Sequence, residues 1–159
     1  MGKREDILEY SITPDTVHKV IKKASLVKWG THLLRWRYFN VTYDGVLYRR
    51  GILIPTGLWH LLKRIFVDQD WREDATLESL NEDARNTIEY LGAYIYAYGY
   101  HRTDPPRLQW GFWNPETGIA VIYDMEADLI ATVFKPVEGA NFFEYQLEVV
   151  RIDRKEWKI

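Results

Sequence analysis

The sequence predicts an α+β domain: N-terminal helices and a β-hairpin, followed by a long helix and a four-stranded antiparallel β-meander. Three observations predict it. Apolar residues recur at helical spacing after Thr13-Pro14, an Asp44-Gly45 pair separates two β-rich runs, and four further β-rich runs with short turn-rich connections close the chain. Connections that short favour neighbouring strands in one sheet, with helices packed on one face.

At the first helix, Thr13 offers a capping hydroxyl, Pro14 needs no amide partner and Asp15 suits the positive end of the helix dipole. Val17, Val20, Ile21, Ala24 and Val27 then form one apolar stripe, with His18, Lys19, Lys22 and Lys23 mostly opposite; Gly30 is expected to stop the helix. From Arg35 to Pro55 the period changes. Asp44-Gly45, between the runs ending at Tyr43 and starting at Val46, signals a two-residue hairpin turn, because such a turn needs two positive φ angles.

Thr56 is placed to cap a short helix through Phe66. Leu58, Leu61, Leu62, Ile65 and Phe66 make its buried stripe, which leaves His60, Lys63 and Arg64 together on the other face. After an acidic connector, Asp68 to Asp74, the spacing of Ser79-Leu80-Asn81-Glu82 is that of a capping box. It opens the longest helix, to about Tyr98, with Ala84, Ile88, Leu91, Ile95 and Tyr98 facing the core and Gly99 as its stop. Asp104-Pro105-Pro106 forms a stiff loop. The strands of the meander are Leu108 to Trp113, Ile119 to Tyr123, Leu129 to Phe134 and Phe142 to Ile152.

A chain of 159 residues with 47% apolar and 28% charged side chains can bury one sufficient core, so a single domain spanning 1–159 is expected rather than a disordered segment. The absence of cysteine excludes disulfides, thiolate metal sites and cysteine nucleophiles. No segment approaches the ~18 to 20 apolar residues of a membrane span, so a cytoplasmic location with no membrane partner is expected. Charge is distributed unevenly. Met1 to Arg64 carries 12 basic against 5 acidic residues, and Ile65 to Ile159 carries 9 against 18. The basic half could meet a polyanion. The 15% aromatic content, with seven Trp and eleven Tyr, either fills the core or provides a surface for stacking bases or holding a protein partner.

No Gly-rich phosphate loop, nucleophile elbow or zinc-protease motif is present, and His18, His32, His60 and His101 are too scattered to gather metal ligands locally; no metal and no cofactor is called for. The carboxylate pairs Glu126 with Asp128 and Asp68 with Asp70 fall in charged loops, where ionised carboxylates at ordinary pKa are usual, and receive no role.

Two groups remain. On the ribbon, Arg35, Arg37, Arg49 and Arg50 interleave with Trp36, Tyr38 and Tyr48. Charge and stacking surface together are what single-stranded nucleic acid requires, although arginines on strand faces also discourage edge pairing. The second group is His60, Lys63 and Arg64 on a helix, followed after a longer helix by a hairpin whose second strand carries Ala131-Thr132-Val133-Phe134-Lys135-Pro136.

That order, over roughly Thr56 to Lys135, resembles the superfamily of barnase-like, EndoU-like and colicin-type ribonucleases, many of them toxins. The resemblance implies metal-independent cleavage of RNA by attack of a ribose 2′-hydroxyl on the adjacent phosphate. His60 would exchange the proton, since imidazole ordinarily titrates near pH ~6.5. Lys63, Arg64 and Lys135 would hold the phosphate, and the Thr132 hydroxyl would bond a non-bridging oxygen. Related helices often present a second histidine close behind the first. Ile65-Phe66 stands there in this chain, which leaves His32 or His101 as the candidate acid. Two other readings stay open: a non-catalytic protein-binding domain of immunity or inhibitor type that covers a cognate protein with its acidic half and aromatics, and a single-stranded nucleic-acid-binding module.

Overall fold

The computed structural model describes residues 12–26, 36–100, 107–146 and 149–157. Two compact units make up the chain: Met1–Val27 with Glu82–Ile159, and Lys28–Asn81.

In the first unit, helix α1 spans Pro14–Leu26. Thr13 caps it as expected, its hydroxyl accepting a 3.2 Å hydrogen bond from the Thr16 amide. Val17, Val20 and Ala24 are buried, whereas His18 is exposed. Val27, Gly30 and Asp104-Pro105-Pro106 lie outside the described residues.

This unit holds a five-stranded antiparallel sheet rather than a four-stranded one. Within the sub-chain Glu82–Ile159 its strands are β3 (Tyr94–Tyr100), β4 (Arg107–Trp113), β5 (Ala120–Asp124), β6 (Leu129–Phe134) and β7 (Val150–Ile152), in the order β6-β5-β4-β3-β7. The three strands from β4 to β6 follow the sequence reading to within a residue or so. Asn114-Pro115-Glu116-Thr117-Gly118 makes the first of their connections. Its Gly118 amide donates to the Asn114 carbonyl at 2.8 Å, and the Asn114 side chain accepts from the Glu116 amide.

The expected helix to Tyr98 is corrected. Helix α3, Leu77–Glu89, ends nine residues earlier, and Tyr94–Tyr100 is the interior strand β3, between β4 and β7. Leu91, assigned to the helix core face, is 75% exposed, and Gly99 lies inside the strand. The expected strand from Phe142 to Ile152 is corrected too: Asn141–Glu144 forms the short helix α4, and among the described residues of that run Val150–Ile152 alone is strand, paired to β3. The capping box of α3 sits three residues before the predicted one. Thr76 and Ser79 exchange side-chain-to-amide hydrogen bonds of 2.9 and 3.0 Å. At the far end of α3, Arg154 just after β7 donates to the carbonyls of Ile88 and Tyr90, holding the helix C-terminus to that strand.

Register divides the sheet into two faces. One carries Ile95, Ala97, Trp110, Phe112, Val121, Tyr123 and Val133, all fully buried. The other carries Tyr94, Tyr96 and Tyr98 beside Trp113, Gly111 and Gln109, and α4 lies across it. Phe143 of α4 stacks on Tyr96 at 5.1 Å and sits directly above Gly111; a Cβ at that position would come within 2.2 Å of its ring. Glycine is required there by close approach.

In the second unit, β1 (Trp36–Tyr43) and β2 (Val46–Pro55) form the expected two-stranded ribbon. Asp44 and Gly45 have φ of 51° and 75°, as a tight hairpin turn demands. Helix α2, Thr56–Leu62, follows and widens into a π-helical turn, Lys63–Val67. α3 contributes its first residues, Leu77–Asn81, to this unit. Among the described residues no helix is long and apolar enough to cross a membrane.

Candidate nucleic-acid interface

The π-turn resets the face of the short helix. The Asp68 amide bonds the Lys63 carbonyl, five residues back, and the Asp70 amide bonds the Arg64 carbonyl, so the periodicity that the apolar stripe assumes is lost after Leu62. Leu61 and Ile65 are buried as expected, but Phe66 is 54% exposed and Arg64 is buried in its place. Arg64 therefore does not share an open face with His60 and Lys63. Its guanidinium is paired with Asp68 at 2.7 Å.

His60 and Lys63 both approach the indole of Trp59. The imidazole meets it edge-on, with ring centroids 5.1 Å apart, and the ammonium lies 5.6 Å from the ring centroid. The indole N–H of Trp59 donates a 3.0 Å hydrogen bond to the Tyr38 carbonyl on β1, which ties α2 to the ribbon. Across β1 and β2 the Arg50 guanidinium lies 5.6 Å from the Tyr38 ring centroid. Tyr38, Arg50, Trp59, His60 and Lys63 thus form one connected group of aromatic rings and cations. Tyr38 and Tyr48 are each 50% exposed, and Arg49 and Arg50 are exposed.

Of the other ribbon residues, Trp36 and Arg37 lie on β1 opposite Pro55 and Ile54. Arg35, His32 and His101 fall outside the described residues. Thr132 is on β6 opposite Ile122, and Lys135 follows that strand; both are half-buried. They belong to the first unit, and His60 and Lys63 to the second.

Two arginines of the first unit are matched by carboxylates. Arg107 bonds Asp124 at 2.9 Å and lies 3.8 Å from Glu126, and Arg151 lies 3.6 Å from Glu144 while covering the Tyr94 ring at 4.6 Å. Asp128 is engaged by the Tyr123 phenol. Burial raises the Tyr96, Tyr98 and Tyr123 phenols above the ordinary tyrosine value, and hydrogen bonds to Glu144 and Asp128 add to the shift at Tyr96 and Tyr123. On the ribbon the balance is different. From Trp36 to Arg64 the chain carries five Lys and Arg against the single carboxylate Asp44, and among the described residues no carboxylate pairs with Arg49 or Arg50. Among the described residues no three His, Asp or Glu side chains gather as a metal-ligand set.

Comparison adds no relative to this picture: no family model, curated protein or solved structure matches the chain. The signal for the aromatic and arginine group was legible in the sequence as alternation along the hairpin. The partners that join it, Trp59 to Tyr38 and Arg50 to Tyr38, required the fold.

Proposed function

We propose that the ribbon and the α2 turn bind single-stranded RNA. One observation carries the reading: two aromatic rings, Tyr38 and Trp59, each bear a cation and are joined through the Trp59 N–H to the Tyr38 carbonyl. Bases of any sequence stack on such rings, and Arg49, Arg50 and Lys63 supply the charge that tracks a phosphate backbone. The uneven charge of the two chain halves supports the same reading. The test is binding of a labelled single-stranded RNA across a salt series. Affinity should fall steeply as salt rises and should drop on Trp59→Ala; a flat salt response removes the reading.

A second reading adds metal-independent cleavage, of the toxin-like kind that the sequence resemblance implies. It is favoured by the approach of His60 and Lys63 to one indole, which would place an imidazole and an ammonium beside a nucleotide stacked there. Nδ1 of His60 is shielded from solvent, so proton exchange with a substrate would run through Nε2. Cleavage that survives chelator, leaves cyclic-phosphate ends and is lost in a folded His60→Ala protein is the expected result.

A further inference from the structure

The ribbon contains a bulge that is wider than its sequence announces. Phe39 pairs with Ile52 and Val41 with Tyr48, so the single residue Asn40 on β1 faces three on β2: Arg49, Arg50 and Gly51. Within it Arg50 has φ of 82°, in the left-handed region where a side chain with a Cβ is strained. Bulges re-aim side chains and occur beside functional sites. A glycine at position 50 would make the same bend without strain, and glycine stands one place later, at Gly51.

The strained backbone sets where the guanidinium goes. Arg50 lies over the Tyr38 ring, and the Trp59 N–H holds the Tyr38 carbonyl, so both ends of the stack are fixed. A guanidinium held near a ring by cation–π attraction, with no carboxylate paired to it among the described residues, has N–H groups to offer an anion, and their fork matches two phosphate oxygens. Arg49 is exposed beside it, and half of the Tyr38 surface is open.

We infer that the Arg49-Arg50-Gly51 bulge is a one-nucleotide subsite for single-stranded RNA, in which Arg50 takes the phosphate and Tyr38 the neighbouring base. The inference rests on the RNA-binding reading above and adds to it a named point of contact and a reason for the strain. Arg50 is a binding residue here, with stability given up for its placement.

The test compares wild type, Arg50→Gly and Arg50→Lys by thermal melting and by anisotropy of a fluorescein-labelled twelve-nucleotide oligouridylate. Arg50→Gly should melt a few degrees higher, because glycine is at ease at positive φ. It should also bind the oligonucleotide about tenfold more weakly, with the salt slope reduced by about 0.7 for one lost phosphate contact. Arg50→Lys, which keeps the charge and loses the fork, should bind severalfold more weakly with no gain in melting temperature. Arg50→Gly that binds like wild type overturns the subsite while leaving RNA binding in place. Arg50→Gly that melts lower than wild type overturns the strain argument, and the inference falls with it. Wild-type protein that ignores oligouridylate but binds polyglutamate sinks the RNA-binding reading itself.

Discussion

The Arg64 guanidinium donates a 2.7 Å hydrogen bond to the Asp68 carboxylate across the π-turn, with only 8% of the arginine side chain and 28% of the aspartate side chain exposed. A cation shut away to this degree leans on its carboxylate, because removing that member of a buried pair withdraws the attraction while the cost of desolvating the arginine stays. Asp68→Ala should therefore destabilise the protein by about 2 kcal/mol, below the range for fully buried pairs because Asp68 is partly solvated. The double change Arg64→Met with Asp68→Ala should recover part of that loss, as an apolar side chain replaces the buried charge. Urea unfolding of Asp68→Ala, Arg64→Met and the double variant measures both. Additive losses would show that the pair is not coupled.

Trp59 has two separable parts in the proposed interface: its ring would stack a base, and its N–H holds the Tyr38 carbonyl. Trp59→Ala should weaken single-stranded RNA binding by about 1–3 kcal/mol, the usual worth of one stacked base. Trp59→Phe keeps a ring and loses the donor, so it should fall between wild type and alanine. Equal binding by all three proteins would place the RNA elsewhere.

Alkaline pH should expose the buried phenols. Tyr96, Tyr98 and Tyr123 have pKa values raised chiefly by burial, so in the folded state they keep their protons beyond the pH at which an unfolded tyrosine loses its own, near ~10. Above that value the unfolded chain holds fewer protons than the folded one, and stability declines as pH rises. The contribution of these groups is fully present below pH ~10 and is lost progressively above it. A spectrophotometric titration should show some tyrosines ionising early and a further group only as the protein unfolds. A single early transition covering every tyrosine, with the fold intact, would contradict the burial.

Legibility in the sequence followed how local each determinant was. The Thr13 cap, the Asp44-Gly45 turn and the three strands from β4 to β6 rest on residues a few positions apart, and the structure reproduces them. Helix α3 was overextended because Ile88, Leu91, Ile95 and Tyr98 happen to fit a helical stripe. The competing signal was the alternation of Tyr94, Tyr96, Tyr98 and Tyr100, a period of two that marks β3. At the candidate site, the mixture of arginine and aromatic residues along the ribbon was readable. The burial of Arg64 was not, since it follows from a change of helical hydrogen bonding after Leu62, and neither was the left-handed backbone at Arg50. The helix α4, read as strand, is held by a tertiary contact that no neighbouring residue announces.

That contact gives the last prediction. Phe143 is fully buried, stacks on Tyr96 and fills the space above Gly111 where a side chain would otherwise project. Gly111→Ala introduces one methyl group into a position where the nearest ring atom lies 2.2 Å away, so the ring or the β4 backbone must move. Overpacking of this kind costs about 1–3 kcal/mol. Phe143→Leu alone should cost a similar amount through lost volume and lost stacking on Tyr96. The two changes together should cost less than their sum, because the smaller side chain makes room for the methyl group. Equilibrium unfolding of the single and double variants measures the coupling; strictly additive losses would mean that α4 does not rest on β4 at this glycine.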